Sequence, residues 1–311
     1  MRIAVSAVLT VAVAGWMFAR QKSVSGSENG CSNAVLHLRC LRQPPVFHKG
    51  EVIQAKLSLT SNRQAGLTAL PGTRRGFFRE IFVWEPEKDA VDPFTLDPRI
   101  RVGDQLGSGW SEEKAREIEV NEWVQFRRPG RYVLHAILKR IVPEQPMGKD
   151  RKPKPWCELR SNNETVEILP PDARWEVAEL ARIDRLLESS ATRCAAASAL
   201  RYLNTPEAAV ALARWYLRLT GEPENSELAK GIFESQHASG AQAELEKALR
   251  SAVPFTENAL GTLALLEVRN QFVNRPRPSE PKGASAWSRE YWALFDSVKA
   301  KYTSMATRRP H

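Results

Sequence analysis

Near residue 170 the spacing of apolar residues changes, and this constrains the fold more than any other feature of the chain. In residues 51–60, Ile53, Ala55, Leu57 and Leu59 alternate with Gln54, Lys56 and Ser58. A period of two belongs to a strand with one buried face. Val35–Leu41, Phe77–Trp84, Ile118–Phe126, Gly130–Leu138 and Thr165–Leu169 complete a set of six or seven expected strands. Pro44-Pro45, His48-Lys49-Gly50, Pro71-Gly72, Asp97-Pro98, Pro129-Gly130 and Pro146-Met147-Gly148 separate them as turns. Short strands with no helical period between them predict an antiparallel β-sandwich over 31–169.

Beyond Pro170-Pro171 the period is helical. Asp172 is a good helix N-cap, and Trp175, Ala178, Leu180, Ile183, Leu186 and Leu187 follow at helical spacing. Two alanine-rich helices, Ala191–Leu203 and Glu207–Leu217, flank Asn204-Thr205-Pro206, with Pro opening the second. They look like one HEAT-type repeat, whose small side chains let helices approach closely. Leu228–Phe233, Ala241–Leu249 and Asn258–Phe272 continue the pattern, giving a HEAT-like helical array over 172–273. A proline-rich linker over 274–283 and an amphipathic helix over 284–303 follow. Trp287, Tyr291, Trp292 and Phe295 give that helix an aromatic face, which is expected to dock on its own protein.

At the other end, Ile3–Ala19 is a run of seventeen residues without a charge, preceded by Arg2. Residues 1–25 therefore read as a signal peptide or an N-terminal anchor, and the chain as exported to the periplasm, cell envelope or extracellular space. The formal net charge is +9, but Arg2, Arg20 and Lys22 contribute to it from this segment. The rest of the positive charge is dispersed, and 172–273 holds more acid than base. Nucleic-acid binders gather charge on one face, so no nucleic acid is expected as a partner. The run Lys149–Lys154 reads as a solvated hairpin tip. A membrane is expected to be touched only through the N-terminal anchor.

The segment Arg128-Pro129-Gly130-Arg131-Tyr132-Val133-Leu134 ends one strand, turns, and opens the next on a Tyr. This resembles the corner of immunoglobulin-like sandwiches, where the Tyr hydroxyl ties down the preceding backbone. The resemblance implies a fold class and carries no function. The four cysteines are too few for a disulfide scaffold. Cys31 and Cys40 are separated by an extended stretch of about 30 Å, too far to pair. A Cys40–Cys157 bridge would tie the first strand to the last and stabilise by about 3–5 kcal/mol. Burial of both as small apolar residues, and a Cys31–Cys157 bridge, are the other readings. Cys194 is expected to pack in a helix.

Sequence motifs for chemistry are absent. His37, His48, His135, His237 and His311 meet no metal signature, and no Cys-x-x-Cys pair exists. His135, mid-strand among apolar residues, is expected to be a core histidine. There is no Gly-x-Ser-x-Gly elbow and no phosphate-binding glycine loop. Acidic pairs such as Glu117/Glu119 read as exposed strand residues. No catalytic, metal or cofactor-binding residue is assigned, and no cofactor is expected. Trp110, within Gly107-Ser108-Gly109-Trp110-Ser111, is the candidate protein-contact residue on a flexible loop.

The order of signal, β-sandwich and helical repeats resembles a group of exported bacterial proteins, a resemblance that brings no activity and no site residues. The expected function is non-enzymatic: a protein-binding or scaffolding component of the cell envelope or periplasm. Two alternatives stand beside it: an exported proteinase inhibitor using a β-domain loop, and an enzyme whose site is assembled only in space. The latter predicts a tight cluster of perturbed titratable groups in a pocket.

Overall fold

The structure, a computed structural model, describes residues 34–61, 67–69, 81–93, 110–111, 115–143, 157–219, 221, 223–251, 255–272, 275 and 281–307. The N-terminal segment 1–25, Cys31 and the Lys149–Lys154 run lie outside them. Within them, a β-rich region of antiparallel sheets is followed by seven helices, and the change falls between Leu169 and Ala173, where the apolar period shifts.

The strands are β1 (Ala34–Cys40), β2 (Val46–His48), β3 (Gln54–Ser61), β4 (Leu67–Ala69), β5 (Ile81–Glu85), β6 (Ala90–Val91), β7 (Trp110–Ser111), β8 (Arg116–Glu119), β9 (Gln125–Phe126), β10 (Gly130–Pro143), β11 (Cys157–Arg160) and β12 (Glu164–Leu169). One sheet has the order β1-β3-β8, with Leu38 opposite Leu57 and Ala55 opposite Ile118. Another, of two strands, pairs β6 with β9, and the largest is built round β10. Its Gly130–Leu134 half pairs with β12, and Val133–Ile137 pairs with β5 on the opposite edge. β11 pairs with β10 from Ile137 to Ile141 across a bulge between Leu138 and Ile141, and β4 takes the other side from Ile141 to Pro143. One pair departs from the antiparallel expectation: β2 runs parallel to β12, Phe47 opposite Ile168.

Alternation does its work on the inner faces. Leu36, Leu38, Cys40, Ala55, Leu57, Leu59, Leu134, Ala136 and Val166 are buried in one cluster with Phe82, Trp123 and Phe126. Tyr132 joins them by its ring, and its hydroxyl donates to Arg128 O at 2.8 Å and lies 3.2 Å from Asp89 O. The corner bond expected from Pro-Gly-Arg-Tyr is therefore formed. Polar side chains complete the backbone pairing where strands part. Asn162 accepts from Leu38 N and donates to Leu38 O, and Glu164 accepts from Cys40 N. Buried Asn121 does the same between Ile53 N and Glu51 O. It sits in a 3-10 turn, Val120–Glu122, that interrupts the single strand expected over Ile118–Phe126.

Two site expectations change here. Cys40 carries a free, buried thiol, which burial and then Glu164 push up to about 12. The Cys40–Cys157 bridge is excluded by register. Leu36 lies beside Ser161 in a parallel bridge, so Cys40 is four residues beyond the contact and Cys157 four before it. That separates them by about 26 Å along the strands, against about 4.4–6.8 Å between bridged Cα atoms. The second concerns Trp110: in place of a loop, its backbone belongs to β7, opposite Ala69 of β4. Its side chain, and Gly107–Gly109, lie outside the described residues.

The helices are α1 (Ala173–Glu188), α2 (Arg193–Leu203), α3 (Pro206–Arg218), α4 (Glu224–Glu234), α5 (Ala238–Arg250), α6 (Glu257–Phe272) and α7 (Pro281–Thr307). Asp172 caps α1, accepting from Arg174 N and Trp175 N. Thr205 caps α3, with Pro206 at its first position. Helix α2 packs on α1 and α4, and α3 on α4 and α5. Side-chain pairs link α1 to α3 (Asp184–Trp215, Glu188–Arg218) and α3 to α5 (Arg214–Glu244). Ala197, Ala208, Ala209 and Ala213, all fully buried, permit this close stacking. Helix α6 buries residues on every side, because α5 covers one flank and α7 another. Helix α7 starts within the span expected as linker. Its aromatic face docks on its own chain: Phe272 meets Trp287 and Tyr291 edge-on, and Trp287 Nε1 donates to Arg275 O.

Candidate functional site

The two regions meet along a seam built from two β-region turns and the C-terminal ends of α2 and α4. The first turn is Lys49-Gly50. Gly50 has φ +86°, and a Cβ there would stand 2.6 Å from Leu203 O and 2.9 Å from Tyr202 O. Only glycine allows that backbone to rest on the end of α2. The second is the 3-10 turn Val120–Glu122, which carries Glu122 toward α2. Asn204 closes α2 in the left-handed conformation, φ 50°. Its Oδ1 accepts from Gln236 N just past α4, locking the two helix ends together.

At the centre lies Arg201, 3% exposed. Its Nε and Nη2 donate to both oxygens of Glu234 at 2.5 and 2.8 Å, and Nη1 donates to Glu122 (2.7 Å) and Glu227 (2.8 Å). Lys230 pairs with Glu227 from the same helix. Burial alone would lower the Arg201 pKa. The charges of Glu234, Tyr202, Glu122 and Glu227 more than offset it, so the guanidinium stays charged. Tyr202 Oη stands 3.0 Å from Glu119 Oε2 and 3.0 Å from Glu122 Oε1. Burial, then the Glu122, Glu119 and Glu227 charges, raise its pKa well above the usual phenol value despite Arg201. The Glu119 carboxyl is also raised, first by burial and then by Glu122 and Glu227, against the lowering pull of Tyr202 and Arg201. Gln125 Nε2 donates to Glu234 O, and His48 stacks on Trp175 of α1 with ring centres 4.4 Å apart.

Beside the cluster is a cavity of about 20 Å³, lined among others by His48, Gly50, Gln125, Arg201, Asn204 and Glu234. His48 Nδ1, Gln125 Oε1 and Asn204 Nδ2 are buried at this seam without a hydrogen-bond partner. Such a space is of the size that holds one water. Perturbed titratable groups thus do gather at one place, but round an arginine already engaged by three carboxylates. What this arrangement does well is hold two regions together: a bidentate pair with two further charged bonds, shielded from solvent.

Cys40, Cys157 and Trp110, the residues singled out from the sequence, belong to β1, β11 and β7 and not to the seam. His135 is a buried strand histidine whose Nδ1 lies 3.3 Å from Arg160, and burial, then Arg160, lowers its pKa. Cys194 is exposed on α2 rather than packed. Glu119, expected on an exposed strand face, points instead at α2 and bonds Tyr202. The seam residues are spread from position 48 to 236 and share no local motif. One signal is present in the sequence: Arg201 interrupts the otherwise apolar run Leu200–Leu203 on a helix whose alanines announce burial. Among the described residues no group of three His, Cys, Asp or Glu side chains is arranged to hold a metal, and no helix is long and apolar enough to cross a membrane. Comparison with models of known families, with curated proteins and with solved structures finds no match.

Proposed function

We propose that this chain is a non-enzymatic, protein-binding or scaffolding component of the bacterial cell envelope or periplasm, in which an Ig-like β-sandwich is fused to a short HEAT-like array. The sheet orders β1-β3-β8 and β5-β10-β12 correspond to the A-B-E and C-F-G arrangement of Ig-like sandwiches, and the Tyr132 corner bond agrees with it. The observation that carries the functional reading is the stacking of the helices in two rows. Along one row α3 packs on α5 and is tied by side-chain bonds to α1; along the other α2 packs on α4, whose Phe233 O accepts from Arg269 of α6. Rows of this kind make extended surfaces that contact other proteins rather than pockets that turn over small molecules. The uncharged run Ile3–Ala19 supports export.

The test is cell fractionation of the full chain, combined with capture through two differently placed tags. The expected result is recovery in the envelope or periplasmic fraction with one protein captured in stoichiometric amount by both tags. A chain confined to the cytosol, or one with no stoichiometric companion, overturns the reading.

A further inference from the structure

Tyr202 poses a counting problem. Its hydroxyl lies at 3.0 Å from a carboxyl oxygen of Glu119 and at 3.0 Å from one of Glu122, and a hydroxyl carries a single hydrogen. It donates to one of them; toward the other its oxygen is an acceptor, and an ionised carboxylate has nothing to give. A proton on one of the two carboxyls gives each of these contacts a hydrogen of its own. Glu122 is the charged member, because it also receives an N–H from Arg201 at 2.7 Å. Arg201 spends its N–H groups on Glu234, Glu122 and Glu227 and gives none to Glu119.

We propose that the seam is a proton-dependent latch, in which Glu119 is held as a carboxylic acid that donates to Tyr202 Oη while Tyr202 donates to the Glu122 carboxylate. Closing the two regions onto each other takes one proton from solvent and places it on Glu119; opening returns it. The groups that face Glu119 are Tyr202 and Arg201 of α2, Glu122 of the 3-10 turn and Glu227 of α4. Lys230 is engaged by Glu227 and Glu234 by Arg201, and the Cys194 thiol of α2 is raised by burial, then by Glu227, Glu224 and Glu119. The charges that bear on Glu119 are thus two acids, Glu122 and Glu227, against one base, Arg201, and a proton on Glu119 relieves that excess. The raised Glu119 pKa agrees in sign. A carboxyl raised on folding stabilises the closed form fully below its ordinary range, and that contribution disappears as pH rises through the raised value.

The experiment compares the full chain with Glu119→Gln and Glu122→Gln by thermal unfolding from about pH 5 to about pH 8, a range spanning the ordinary and a raised carboxyl. Gln at 119 supplies a permanent donor. Its midpoint is expected to exceed that of the natural chain by a gap that opens toward alkaline pH, reaching about 2–4 °C. Glu122→Gln is expected to be less stable at every pH. A gap that stays constant or closes with rising pH overturns the latch, as does a pH-dependent gap that appears in Glu122→Gln instead. A second readout needs no stable variant. The infrared carbonyl band of a buried protonated carboxyl should be present in the natural chain at mildly acidic pH and vanish on raising it. Its absence throughout the folded range overturns the proposal.

Discussion

The β region and the helical region solve the same problem, closing a core, with opposite materials. In the β region, polar side chains finish what the strands leave undone: Asn162 serves both backbone groups of Leu38, and Asn121 bridges Ile53 and Glu51. In the helical region the backbone is served chiefly within each helix, and closure comes from shape, through alanines that let α2, α3, α4 and α5 nest. The seam between them belongs to neither scheme, since it is held by buried charge. The three places should therefore fail in three different ways.

The largest effect is expected at the seam. Arg201→Met strips the guanidinium from Glu234, itself 3% exposed, and should cost about 3–5 kcal/mol in chemical denaturation. The double change Arg201→Met with Glu234→Leu should recover much of that loss. If it recovers none, the arginine matters for something other than compensating a buried charge. Next comes Asn121→Ala, which orphans a buried amide and a carbonyl and should cost about 2–3 kcal/mol, with hydrogen exchange accelerated at Ile53. Ala213→Leu tests the helical scheme. Overpacking there should cost about 1–3 kcal/mol, while the same change at exposed Ala173 should cost nothing measurable. The smallest change is chemical rather than energetic. Alkylation and mass spectrometry without reductant should label Cys194 in the folded chain, and both Cys194 and Cys40 once it is unfolded. Failure to label Cys40 after unfolding would mean that it is bridged and that the β1 register is wrong.

The same contrast explains how much could be read in advance. The alternation through Leu57, the cap at Asp172 and the opening Pro206 are local, so β1, β3, β10, β12, the helices and the boundary were legible, while the short strands β2, β4, β6 and β7 were not. The parallel β2–β12 pairing was not, because it depends on which distant edge is left open. The break of Ile118–Phe126 was hidden for a related reason: Asn121 looks like a strand blemish until its partners, 68 and 70 residues away, are known. The seam was the least legible part. Glu119 has the alternation of a solvent-facing strand residue, and only the arrival of α2 converts that face into an interior. Arg201 within its apolar run was the one visible anomaly, and a lone buried arginine announces the need for acids without saying where they lie.

Helix α6 has a consequence for synthesis. With apolar residues right round its circumference it has no water-facing stripe, and much of its cover is α7, which is made after it. Until the ribosome has delivered the stretch from Pro281 onward, Leu263, Leu266 and Phe272 lack part of their shelter, and a nascent or prematurely stopped polypeptide would display a sticky flank to chaperones and proteases.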